Sequence, residues 1–318
     1  MAANILLDYA FKFSEVTGTQ KADLSYLKNL AVIVKSKTAG GTSPLTHDIT
    51  SAEDAVQYTN ATDLAALFAG GMNIVTLIVC DAIGDATSAL DNTKQYTVIV
   101  DNEWTVTEIE SLDPADFKGV IAAAFGDKAK AETYAAKTNH CAFLDATAPK
   151  AYGMYYAFAK LLSGAYWRDQ QYIQVTSNDV TTVADLGEAE ALFLKKISFY
   201  LGDDQYGKRL GFFGAGGFAI TQPYVNEEIK RIVQSTGVNY LSLNQPRNIP
   251  ISRILLENAL QDKVDEYKLP PYQYLDPTGT NEIVLTTSNE AFVLNGQMTT
   301  KVAEPIWRVK VEARQEVQ

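Results

Sequence analysis

The chain has 318 residues, 47% of them hydrophobic and 20% charged, which is enough to bury a full core without disulfides or metals and lies far from disordered or fibrous compositions. A formal charge of -11, with no run among the 27 Lys and Arg, argues against a nucleic-acid partner, because phosphate binding needs concentrated positive charge. The longest membrane candidate, Leu64 to Val79, is broken by Gly70, Gly71 and Asn73, so no membrane insertion is expected.

Met1 to Ala10 carry no basic start followed by an apolar block, and Asp8 interrupts the only greasy stretch, so the expectation is a cytoplasmic chain without a secretion signal. From Asn4 to Phe13 the odd positions Ile5, Leu7, Tyr9, Phe11 and Phe13 are apolar, while Asn4, Asp8 and Lys12 mark the other face. That alternation predicts a strand. Leu30 to Lys35 is the next predicted strand, followed by a capping-box signal at Ser51 and Asp54. A helical stretch from there ends at Gly70-Gly71, where the chain turns into a strand over Asn73 to Cys80.

Further strands are predicted at Tyr96 to Val100, Gly119 to Ala124, His140 to Leu144, Tyr172 to Thr176, Arg209 to Phe213, Val238 to Leu243 and Glu282 to Thr287. Between them, Asp113-Pro114 signals a helix start, and Leu186, Ala189, Phe193, Ile197 and Tyr200 form one apolar helical stripe. Gln222-Pro223 opens another helix, with Glu227 and Glu228 near its positive end and Gly237 beyond it. A long helix follows over Ser252 to Tyr267, and Asn295-Gly296 reads as a turn. The sum is an α/β core with helices packed on a sheet.

The chain ends as it began. From Trp307 to Val317 the odd positions Trp307, Val309, Val311, Ala313 and Val317 are apolar, Gln315 excepted, and every even position is charged. A terminal strand must pair its backbone and cover its apolar face. Either both ends fold back onto the chain's own sheet, or they add as strands to a neighbouring copy, with alternating side chains setting register.

Candidate chemistry is sparse. Gly214 to Ala219 satisfies G-x-G-x-x-A between a strand and a helix, as in a dinucleotide loop, but Pro223 removes a donor and no acid follows the next strand at Asn244. A tight turn is the default reading, and a nucleotide-binding enzyme is kept as the alternative. His47 and His140 have no Cys, His or carboxylate at ligand spacing, which argues against zinc and His-based triads. Asp203-Asp204 and Asp276 sit in turns, and Cys80 and Cys141 in apolar settings read as buried free thiols. The aromatic group Tyr152, Tyr155, Tyr156, Phe158, Tyr166 and Trp167 reads as core or interface. No cofactor, metal or catalytic residue is assigned.

The order of these features resembles the contractile tail sheath proteins of phages and related contractile injection systems. The resemblance is carried by Leu30 to Val34, by His47 to Asp54 and by Leu64 to Val79 with its glycine pair. In the last third it is carried by the two helices, the strand at Glu282, the Asn295-Gly296 turn and the terminal strand. It covers about half of the chain, and the inserted outer domains that enlarge many sheaths would find little or no room here.

The resemblance implies a sheath-like core of mixed sheet with flanking helices over residues 21–300, an N-terminal linking arm at 1–20 and a C-terminal linking arm at 301–318. It further implies a non-enzymatic subunit that stacks as hexameric rings around a tail tube, and a sheath that contracts to drive the tube through a host envelope, as in phage genome ejection. The subunit-linking residues would be Ile5, Leu7, Tyr9, Phe11, Trp307, Val309, Val311 and Ala313. Partners would be further copies of itself, the tail tube protein, and baseplate and tail terminator proteins, in a virion tail assembled in the host cytoplasm. A non-contractile tail protein is a further alternative.

Overall fold

The computed structural model describes residues 24–303 apart from 39–42, 93, 113, 115–116, 146–150, 165–172, 178, 204–206, 217, 245, 248, 271 and 288–293. Both proposed arms, with Ile5, Leu7, Tyr9, Phe11, Trp307, Val309, Val311 and Ala313, lie outside the described residues.

Five short apolar runs make the centre of the molecule: β1 (Leu30–Lys35), β3 (Val75–Cys80), β4 (Thr97–Val100), β5 (Val120–Phe125) and β6 (His140–Leu144). They pair in parallel in the order β3-β1-β4-β5-β6, and β2 (Leu45–Ile49) joins the β3 edge antiparallel. The parallel strands are buried along nearly their whole length, as expected where a sheet is covered on both faces and its strands read as continuous apolar runs rather than alternations. A mixed sheet with flanking helices is therefore what the sequence builds.

Local chemistry sets most of the connections. Ser51 and Asp54 form the anticipated capping box, but α1 (Ala52–Ala55) is one turn long and α2 (Ala65–Ala69) starts separately, so the predicted continuous helix is two pieces. The polar run between them competes for the backbone: the Thr59 hydroxyl accepts the Ala61 amide. Gly71 adopts φ 109°, the left-handed geometry expected at the helix-to-strand step. Gly70 is needed for a different reason, since a Cβ there would lie 2.3 Å from Ala159 Cβ on α5 (Tyr152–Ser163).

Four predicted elements differ. No helix starts at Pro114 among the described residues; instead α3 (Val106–Ser111) precedes it, capped by Thr105 and Glu108. After α4 (Lys128–Ala135) and α5, the stripe from Leu186 to Tyr200 divides into α6 (Leu186–Leu194) and a strand, because Lys196 turns left-handed at φ 58°. Leu186 and Leu194 end up exposed, while Ile197 and Tyr200 are buried in sheet surroundings. Val238 to Leu243 is helical: α7 (Thr221–Asn244) runs through Gly237, since Val225, Ile229, Val233, Tyr240 and Leu241 continue one apolar stripe that packing rewards over strand propensity. Asn295-Gly296 lies inside a strand, not at a turn.

A three-stranded antiparallel sheet, β7 (Gln174–Val175), β9 (Gly207–Phe212) and β8 (Phe199–Asp203), abuts β6 through Ser198, whose backbone bonds to Ala142 and Leu144. The hairpin of β10 (Gly214–Ala215) and β11 (Phe218–Ala219) then leads into α7. A second, separate core forms from Val225, Ile229 and Val233 of α7, Leu256, Leu260 and Val264 of α8 (Pro250–Glu266), and Ile283 and Leu285 of β12 (Glu282–Thr287). β12 pairs with β13 (Leu294–Thr299) as an isolated two-stranded sheet.

Candidate functional site

Three places could carry function: the glycine loop, the carboxyl end of the parallel sheet, and the unpaired strand edges. The glycine loop is used up internally. Gly214 N–H donates to Ser198 Oγ at 3.1 Å, and Gly216 N–H donates to the His140 carbonyl at 2.8 Å. Gly216 sits at φ 57°, and a Cβ there would meet Asn139 N at 2.7 Å. These glycines let the hairpin pack against β6, and their amides face protein acceptors rather than a phosphate. The dinucleotide geometry needs free amides at a helix N-terminus directly after the strand, and here a second short strand intervenes.

In sequence order the five parallel strands read 2-1-3-4-5, a doubly wound arrangement whose ligand crevice lies beyond the carboxyl ends of β1 and β4. That crevice is filled. The Trp104 indole N–H donates to the Ile33 carbonyl at 3.2 Å, and Lys35 Nζ lies 5.2 Å from the Trp104 ring centre. Tyr155 on α5 donates to the Asp101 carboxylate, which also accepts the Glu103 amide at 2.9 Å. Burial pushes the Asp101 carboxyl up to about 6, against those two hydrogen bonds, which favour the charged form. Asp63 and Glu103 are taken by the Ala151 amide and the Thr59 hydroxyl.

The remaining titratable candidates are structural in their surroundings. His47 stacks on Tyr58 with ring centroids 3.9 Å apart, and His140 Nδ1 lies 2.7 Å from the Thr138 carbonyl. Cys80 and Cys141 are free and buried, as the sequence implied, and burial pushes both thiols up to about 12. The Asp276 side chain closes its own turn on Thr278 and pairs with Lys301. No cluster of His, Cys, Asp or Glu able to hold a metal occurs among the described residues, and no helix among them is long and apolar enough to cross a membrane. Of the aromatic group, Tyr155 and Phe158 are core, Tyr152 and Tyr156 stack on each other at partial exposure, and Tyr166 and Trp167 lie outside the described residues.

What stays open is backbone and apolar surface. Among the described residues β2 has a strand partner only on its β3 side, whereas the opposite edge of the sheet at β6 is met by Ser198 and the β10–β11 hairpin. Among the described residues β12 and β13 pair with each other and with no further strand, and the outer β12 amides of Ile283 and Leu285 donate to Gln261 and Glu257 of α8. The chain leaves β13 and crosses back beside Tyr274, where the N–H of Ala303, the last described residue, donates to the Tyr274 carbonyl at 2.6 Å. Leu243, Ile251, Leu255 and Leu269 are more than half exposed on the α7 and α8 side, and Ile254 is 49% exposed. Sequence patterning missed β2, β8 and β13, whose short or mixed runs carry no strong alternation.

No protein-family model and no curated protein matches the sequence. Solved structures do match. The chain aligns with one described as the sheath complex of an extracellular contractile injection system, PVC, in the contracted state, at TM-score 0.66 and 12% identity over 96% of this chain and 98% of that one. The fold is that of a contractile sheath protein. Two anti-feeding prophage structures agree with this sheath fold: its helical sheath in the contracted state, at TM-score 0.62 and 12% identity, and its baseplate, at 0.62 and 11%. Both are matched over 96% of this chain, and over 100% and 98% of theirs respectively. With 96% of this chain aligned in each case, the correspondence takes in both cores.

Proposed function

We propose that this chain is the repeating structural subunit of a contractile sheath in a phage-like injection machine. The observation that carries the reading is the end-to-end fold correspondence, with 96% of this chain and 98% of the PVC sheath chain aligned and no large element left over on either side. A filled switch-point crevice and internally bonded glycine amides add support for a non-enzymatic role.

In this reading the copies stack as hexameric rings around a tail tube, capped by baseplate and terminator proteins, in a tail-like particle. Ile5, Leu7, Tyr9 and Phe11 on one arm, and Trp307, Val309, Val311 and Ala313 on the other, link each copy to its neighbours by strand addition. The receptor is the β12–β13 pair. A two-stranded sheet alone is marginal in water, and while Gln261 and Glu257 of α8 take the Ile283 and Leu285 amides on the β12 side, the β13 edge has no strand beside it among the described residues and offers main-chain partners to an incoming strand. Contraction is then a change between two packings of one set of copies, with the strand ladders kept as hinges and no nucleotide consumed.

The test is electron microscopy of purified protein, alone and with residues 304–318 deleted, beside nucleotide-binding calorimetry. Helical tubes or rings that vanish on deletion support the reading. Monomers at every concentration that bind a nucleotide would reverse it.

A further inference from the structure

The long helix α7 belongs to both cores: Tyr224 is buried in the first, and Val225, Ile229 and Val233 in the second. How the second core is oriented therefore depends on what fixes this helix against the sheet. Its first turn is held at the amino ends of the strands, where the Tyr96 hydroxyl donates to the Pro223 carbonyl at 3.0 Å and Thr97 shares a hydrogen bond with Tyr224. Those contacts act at one level of the helix.

One and two turns further on, the helix meets Tyr26. Its hydroxyl donates to Glu227 Oε1 at 2.9 Å, and Arg231 Nε lies 2.9 Å from the same carboxylate oxygen and 3.1 Å from the Tyr26 oxygen. The guanidinium also lies 5.5 Å from the Tyr26 ring centre, and Tyr26 in turn packs edge-on against Tyr96 at 6.2 Å. The Glu227 and Arg231 side chains are only 13% and 11% exposed, so the pairing is little screened by solvent. Tyr26 stands in the short turn Ser25–Lys28, directly after the N-terminal arm and directly before β1, the strand that pairs with both β3 and β4.

We propose that Tyr26, Glu227 and Arg231 form a clamp that ties the root of the N-terminal arm to α7, so that the arm root, the six-stranded sheet and the second core move as one body. A pull on the arm reaches β1 through the backbone and α7 through this side-chain contact. The flexing needed between copies then falls in the arms. The consequence for assembly rests on the sheath-subunit reading; the clamp itself does not.

The clamp is tested in the full chain by placing spin labels at Ala129→Cys on α4 and Asp262→Cys on α8, both exposed, with the buried native cysteines left unlabelled. The parent should give one narrow distance. The paired substitution Glu227→Gln with Arg231→Met, which removes both charges together, should broaden it, and Tyr26→Phe should broaden it less, at unchanged helical circular dichroism. Tyr26→Phe, which deletes one oxygen, carries the test if the paired variant unfolds. A parent distribution already broad, or variants as narrow as the parent, would overturn the clamp. Tubes that form normally alongside unaltered distances sink the clamp alone, whereas altered distances in a chain that never assembles sink the sheath reading alone.

Discussion

The two cores are closed to different degrees. The first has parallel strands buried on both faces and aromatic rings such as Phe158, Phe213 and Tyr155 sealed inside. The second rests on two helices and a hairpin whose outer faces leave Leu243 82% and Leu255 51% exposed, with Val284 of β12 at 41%. A core that is complete by itself serves as a scaffold, and a half-open one serves as a contact region. Ala303, the last described residue, lies beside the open side, its N–H bonded to the Tyr274 carbonyl.

The largest effect tests the open side. Val309→Lys or Val311→Lys should abolish tube formation in electron micrographs while leaving the circular dichroism of the monomer unchanged, because a charge would sit on the linking strand's apolar face. A variant that unfolds as a monomer would instead assign that strand to the chain's own core. On the closed side, Phe158→Ala removes a ring packed 4.9 Å from Phe213 and should cost about 3–5 kcal/mol in urea unfolding. A loss under 1 kcal/mol would mean the first core tolerates cavities and is less sealed than its burial implies.

A smaller effect comes from Asp101. Its carboxyl is raised by burial to about 6, so the folded state binds that proton more tightly than the unfolded chain does. The sign follows: this group's contribution to stability grows as pH falls through about 6 and levels off near 4, by on the order of 1–3 kcal/mol. Thermal melts between pH 7.5 and 4.5 should show a rise that Asp101→Asn flattens; equal slopes in both proteins would remove Asp101 as the cause. The smallest effect is Leu243→Ser, which should change monomer stability by less than about 0.5 kcal/mol because the side chain is already in water. A clear loss there would show that the second core extends to the end of α7.

Much of the scaffold was legible because it is local. Leu30–Lys35, His140–Leu144 and Glu282–Thr287 are strands with the predicted ends, the helix expected over Ser252 to Tyr267 is present but starts two residues earlier at Pro250, and Gly71 takes the left-handed turn assigned to the glycine pair. The α3 start was also written in the chain, as the Thr105–Glu108 box, but the more conspicuous Asp113-Pro114 drew the assignment. Val238 to Leu243 misled because its alternation fits a strand, while burial against α8 and β12 selects the helical stripe. The glycine loop was legible as a tight turn, and the identity of its hydrogen-bond partners was not, since Ser198 and His140 are distant in sequence.

By itself, then, the sequence determined the α/β class and most of the buried strands, because each depends on residues within one or two turns of chain. Tertiary structure alone decided that the sheet is doubly wound, that Trp104 and Tyr155 close its crevice, and that one helix serves two cores. Those outcomes rest on contacts between residues tens to hundreds of positions apart, such as Tyr26 with Arg231, and no local pattern encodes which distant side chain will arrive.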